Sequence, residues 1–205
     1  LSSAALFAQL QNVPITGYNN DLVANGVGAT NTVSTGSLAG MVTEPAIGVD
    51  GVGYTFIDET FKWYSGSAAA SCYLPTGGAI PSALTSGLTY QLQNYSSLNA
   101  LTVVSNTYIG SVWPTTGTVA LATPGSFTDL YVLYESVLNT VGPTITATVN
   151  FSDATSQVFS GNALVNWFTA TNKAYTPYIS RVQNVAPGNL GACNTGPYLF
   201  QLSLP

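Results

Sequence analysis

The sequence predicts an all-β domain folded as an antiparallel β-sandwich, on three observations. The run Thr144-Ile145-Thr146-Ala147-Thr148-Val149-Asn150-Phe151 is apolar at every odd position and polar at every even one, the period-two pattern of a strand with one face on a core and one in water. Shorter runs of this kind recur at close spacing between turns that carry Pro or Gly, as the strands of a sandwich do. The length of 205 residues suits one large β domain, a class that can pass ~200 residues without dividing.

The chain opens on Leu1-Ser2-Ser3-Ala4-Ala5-Leu6-Phe7-Ala8-Gln9, small and apolar residues that resemble the end of a signal peptide. Residues 1–11 are therefore read as a signal-peptide remnant or an N-terminal segment of the fold, and residues 12–205 as a single β-sandwich domain. Residues 10–35 read as a loop entering a first strand. In Ile47-Gly48-Val49-Asp50-Gly51-Val52-Gly53-Tyr54-Thr55-Phe56-Ile57 an Asp-Gly turn precedes alternation, a hairpin signal. The stretch Tyr73 to Pro81 holds two prolines and two glycines and is excluded from helix. Leu88-Thr89-Tyr90-Gln91-Leu92 alternates as a half-buried strand. Further strands are predicted at Ala100 to Val104, Gly117 to Ala122, Leu130 to Tyr134, Thr144 to Phe151 and Gln157 to Phe159, with Ser152-Asp153-Ala154-Thr155-Ser156 turning the last two into a hairpin.

Charged residues make up only 5% of the chain, against roughly 25% in ordinary soluble domains. Ser, Thr, Asn and Gln take their place in hydrating the surface. The net charge of −5 sets eight acids against Lys62, Lys173 and Arg181, so no basic patch is available to neutralise phosphates or anionic lipid. Nucleic acid is excluded as a partner on this ground. No apolar run approaches the ~18 residues of a membrane-spanning helix, and membrane insertion is not expected. Few lysines guard strand edges, so pairing of exposed strands with another copy or another domain stays open. Cys72 and Cys193 lack both CxxC spacing and a histidine partner. They are read as a disulfide, the alternative being two buried free thiols.

Several segments fall in an order that resembles the galactose-binding-like β-sandwich modules of secreted bacterial proteins. They are Leu74-Pro75, Gly78-Ala79-Ile80-Pro81, Tyr90-Gln91-Leu92, Leu98-Asn99-Ala100-Leu101, Gly117-Thr118-Val119, Leu130-Tyr131-Val132-Leu133, Val149-Asn150-Phe151-Ser152-Asp153, Val165-Asn166-Trp167-Phe168, Arg181 and Pro197-Tyr198-Leu199-Phe200. The resemblance spans roughly residues 12 to 204 and implies a jelly roll that binds carbohydrate, or serves adhesion, in a cell-surface protein of the Bacteroidota type. Export through a dedicated secretion system, with further C-terminal parts, is part of that implication. Two departures stand out. Asp153-Ala154 replaces the family's Asp-Gly, which implies a different turn because Ala resists positive φ. Asn166 replaces an Asp, removing a carboxylate that would have paired with Arg181.

The absence of histidine excludes a Ser-His-Asp triad, a Cys-His pair and His-ligated zinc. No G-x-S-x-G elbow, P-loop or G-x-G-x-x-G fingerprint occurs. Asp58-Glu59 is the sole adjacent acidic pair, and on a strand its side chains would diverge. The expected function is therefore non-catalytic: a secreted or cell-surface carbohydrate-binding or adhesive module whose partner is a polysaccharide or cell-surface glycan. An assembly subunit associating through exposed strands and a glycan hydrolase are the alternatives. Trp63, Tyr64, Tyr95 and Trp113 are the candidate stacking platforms for a sugar ring, against a reading in which they fill the core; Trp167 is assigned to packing. Asn20, Asp21, Asp50 and Asp58 supply the oxygen ligands a structural Ca2+ would need, although no EF-hand spacing is present. As plain turn formers they would have no such role.

Overall fold

The computed structural model describes residues 10–28, 54–63, 66, 70–104, 114–137, 144–183, 193 and 196–205. All regular structure in these residues is strand, an all-β arrangement. The strands are β1 (Ile15–Thr16), β2 (Val23–Ala24), β3 (Tyr54–Ile57), β4 (Ala79–Pro81), β5 (Thr89–Gln91), β6 (Ala120–Leu121), β7 (Leu130–Tyr134), β8 (Thr144–Asn150), β9 (Ser156–Ala163), β10 (Arg181–Gln183) and β11 (Phe200–Leu204). They pair as β1-β6, β10-β3-β2, β11-β7, β4-β5 and β8-β9.

The three-stranded sheet organises the interior. Successive side chains of a strand point to opposite faces, and here both faces are covered. Val23 of β2 and Phe56 of β3 enter a large cluster with Leu74, Ile80, Tyr90 and Ile179. Their neighbours Ala24 and Ile57 enter a second cluster with Phe61, Trp63 and Val182. Coverage on both sides explains why Thr55, Phe56 and Ile57 are all buried. The β2–β3 pairing is parallel, with Val23 opposite Phe56 and Ala24 opposite Ile57, whereas the sequence pointed to antiparallel strands throughout. Among the described residues the other strand pairs are antiparallel.

The β4–β5 hairpin turns Ile80 and Tyr90, which face each other across the pair, into the large cluster. Its Tyr90 hydroxyl and the Ser82 hydroxyl both donate to Gln201 Oε1 in β11, each at 2.8 Å. The predicted strand at Leu130 to Tyr134 is β7, paired over its whole length with β11. The β8–β9 hairpin also forms, with alternating exposure along β8 and a bulge between Ile145 and Ala147.

Two expectations need correction. Ala100 to Val104 is not a strand; only Ala100 makes a bridge, to Asn20. The backbone there is held instead by Asn19, whose side chain donates to the Thr102 carbonyl and accepts from the Thr102 amide. Ala154 does adopt positive φ, at 67°. Its amide donates to the Phe151 carbonyl and the Phe151 amide to the Thr155 carbonyl, the bonding of a three-residue hairpin loop whose last position is left-handed. Asp153 compensates by accepting from both the amide and the hydroxyl of Thr155.

Cys72 and Cys193 form a disulfide with Cα atoms 5.7 Å apart. Among the described residues no helix is long and apolar enough to cross a membrane.

Candidate functional site

A polar cleft of about 350 Å³ opens between the ends of β2 and β3 and the turns that flank β4 and β5. Parallel pairing is what creates it. The carboxyl ends of β2 and β3 lie at the same end of the sheet, so the next residues along the chain, Asn25 after β2 and Asp58 after β3, arrive together at the cleft. Opposite them run Gln91, Gln93, Asn94 and Tyr95.

The third wall is the turn Thr76-Gly77-Gly78. The Gly78 amide donates to the Pro75 carbonyl and the Leu92 amide to the Gly78 carbonyl. Gly78 has φ of 69°, and a Cβ there would lie 2.9 Å from Gln91 Nε2 and 3.0 Å from the Leu92 carbonyl. Only glycine both accepts that conformation and lets the wall close on β5. Gln91 Nε2 then donates across the gap to the Gly77 carbonyl at 2.7 Å.

Asp58 forms the floor and is only 2% exposed. Its Oδ1 accepts from the Thr60 amide at 2.9 Å and the Thr60 hydroxyl at 2.7 Å. No described residue donates to Oδ2. Thr60 Oγ1 accepts in turn from the Gly26 amide at 2.8 Å, which ties the floor to the segment after β2. Tyr95 is buried, and its hydroxyl donates to the Pro75 carbonyl at 2.9 Å. Burial first, and then the nearby Asp58 charge, push its hydroxyl well above the ordinary tyrosine range. The Asn94 side chain accepts from the Ser96 amide, and Asn25 Nδ2 donates to the Ser96 hydroxyl. At the rim the Thr76 hydroxyl donates to Glu59 at 2.6 Å.

The structure distributes the sequence-derived candidates unevenly. Trp63 is 5% exposed and packs edge-on against Phe61 with ring centroids 5.3 Å apart, so its faces are closed to a sugar. Tyr95 reaches the cleft, yet its ring belongs to the core. Tyr64, Trp113 and Asp50 lie outside the described residues. Trp167 is buried, as the packing assignment expected.

Asn20 and Asp21 do not join Asp58. The Leu22 carbonyl receives the Phe56 amide and the Ala24 carbonyl the Asp58 amide. Asp21 and Asp58 therefore stand near opposite ends of the β2–β3 pair, roughly 13 Å apart at ~3.3 Å per residue. Asp21 accepts from Asn99 Nδ2 and the Val23 amide, while Asn20 Nδ2 donates to Thr102. These residues clamp the segment before β2 to the segment after β5. No group of three or more Cys, Asp or Glu gathers among the described residues.

Arg181 is held by rings. Its guanidinium carbon lies 4.2 Å from the Tyr54 centroid, 4.5 Å from Trp167 and 4.7 Å from Phe168. Asn166 Oδ1 accepts from the Phe168 amide and so shapes that enclosure. Lys173 sits likewise over Tyr198 and Tyr178, at 4.6 and 5.2 Å.

The amide residues of the cleft were missed in the sequence. Their signal was present as Gln91-Leu92-Gln93-Asn94-Tyr95, three amides in five residues at the end of a strand. Comparison with protein-family models, with curated proteins and with solved structures finds no match to this chain.

Proposed function

We propose that this chain is a non-catalytic extracytoplasmic module, of jelly-roll sandwich type, that binds carbohydrate in the cleft above Asp58. The observation that carries the reading is the lining itself. Amides that both donate and accept, and a carboxylate with an oxygen engaged by no described residue, match the alternating donors and acceptors of sugar hydroxyls. The volume of about 350 Å³ lies within the ordinary range for small-ligand sites, roughly 300–1,000 Å³. The disulfide accords with an oxidising compartment, in which such bonds persist. A non-catalytic role is supported by the lack of histidine and by Glu59 being turned outward to Thr76 while Asp58 is buried.

The test is a glycan-array screen followed by titration calorimetry on Gln93→Ala and Asn25→Ala. We expect a polysaccharide or oligosaccharide ligand whose affinity falls several-fold in each variant. Absence of any glycan ligand, or full affinity in both variants, overturns the reading.

Assembly is a second reading, favoured by one observation. Among the described residues β8 and β9 pair only with each other, and Val158 is 60% exposed and Phe151 47% exposed. A two-stranded ribbon with free edges is a template for strand addition. Light scattering across a concentration series tests it; a monomer at every concentration counts against it.

A further inference from the structure

We infer that the cleft selects neutral glycans and rejects acidic ones, and that Asp58 sets this selectivity; the inference rests on the carbohydrate-binding reading. No Lys or Arg lines the cleft. Two of the three cations are engaged elsewhere, Lys173 by two tyrosine rings and Arg181 by three aromatic rings. A uronate or sulfate entering the cleft would therefore lose its hydration without gaining a counter-charge, a strongly unfavourable exchange. It would also meet the Asp58 carboxylate at the floor.

Hydroxyl donors meet the opposite situation. Asp58 is fixed through Oδ1 by two hydrogen bonds from Thr60, which leaves Oδ2 as an acceptor already desolvated by its surroundings. A ligand O–H donating to it forms a charge-assisted bond, roughly twice as strong as a neutral one. Recognition here is by hydrogen bonding at a carboxylate floor with amide walls, since the buried Tyr95 ring offers no open face for stacking.

Affinity electrophoresis of the whole chain would compare uncharged polysaccharides (a β-glucan, a galactan, a mannan) with polygalacturonate and alginate. Wild-type protein should be retarded by at least one neutral polymer and by neither acidic one. Asp58→Asn should weaken neutral binding and shift the acidic-to-neutral affinity ratio upward by about tenfold or more, the order expected from removing one charge a few ångströms away. Gln93→Lys, at an exposed position with no hydrogen bond to lose among the described residues, should shift that ratio the same way and covers the case in which Asp58→Asn fails to fold. Equal affinity of the wild type for acidic and neutral polymers overturns the inference while leaving carbohydrate binding intact. So does an unchanged ratio in the folded variants. Failure to bind any polymer overturns both.

Discussion

The Cys72–Cys193 bond closes a loop of 121 residues, and its removal has a calculable effect. Loop-closure entropy for that length comes to about 16 cal/mol/K, or about 5 kcal/mol at 25 °C taken from the unfolded ensemble. Total stabilities of domains run from about 5 to 15 kcal/mol, so one bond would supply a third or more of the whole. Two contacts in the folded state go with it, because Cys72 Sγ lies 3.0 Å from the Ser180 hydroxyl and Cys193 Sγ 3.0 Å from that of Ser71. The assay is guanidinium unfolding of the Cys72→Ala/Cys193→Ala variant beside wild type, with and without a thiol reductant. With a slope of about 5 kcal/mol/M for a chain of this size, the midpoint should fall by about 1 M. Reduced wild type should match the variant. A loss below ~1 kcal/mol would show that the two linked segments are already held together in the unfolded chain, and would refute the argument from loop length.

Ala154→Gly should stabilise the protein by about 0.5–1 kcal/mol, the left-handed penalty of an L-residue less the extra backbone entropy of glycine; chemical denaturation with a destabilising or neutral result would contradict the geometry found at φ 67°. Trp63→Phe should cost under ~1.5 kcal/mol because the buried indole Nε1 has no hydrogen-bond partner among the described residues, whereas Trp63→Ala should cost about 3–5 kcal/mol in the same assay. With no histidine, thermal stability should be nearly flat from about pH 5 to pH 9. Burial raises the hydroxyls of Tyr18, Tyr90, Tyr95, Tyr134 and Tyr175. The unfolded chain then ionises first, so stability is intact below the ordinary tyrosine value near 10 and falls as pH rises beyond it. Tyrosinate absorbance that climbs fully near pH 10 with the fold still intact would overturn that assignment.

What the sequence revealed is what depends on neighbours along the chain. Alternation located β5, β7, β8 and β9 to within a few residues, because a period of two is a local property of the backbone. The hairpin turn at Asp153 was visible for the same reason, although its backbone conformation was not. Ala154 tolerates positive φ only because Asp153 and the Phe151–Thr155 bonds over-determine the loop. The parallel β2–β3 pairing was hidden, since two short strands separated by some thirty residues carry no mark of which way they will align. The cleft depends on that alignment and was hidden with it. Asn20 and Asp21 read equally well as turn formers or cation ligands until partners about eighty residues away, Thr102 and Asn99, came into view. Trp63 was similarly undetermined, because an aromatic between Lys62 and Tyr64 is placed by the sheet it meets rather than by its own flanks.

Scarcity of charge links these observations. A chain with three cations cannot organise its interior through ion pairs, and the two whose surroundings are clearest are held by aromatic faces instead. Such contacts keep the cation's charge without bringing a carboxylate beside it. Asp58, meanwhile, has one oxygen fixed by Thr60 and the other at the floor of an amide-lined cleft. The rings around Arg181 hold that cation, and the buried carboxylate at the cleft floor keeps an oxygen, Oδ2, to which no described residue donates.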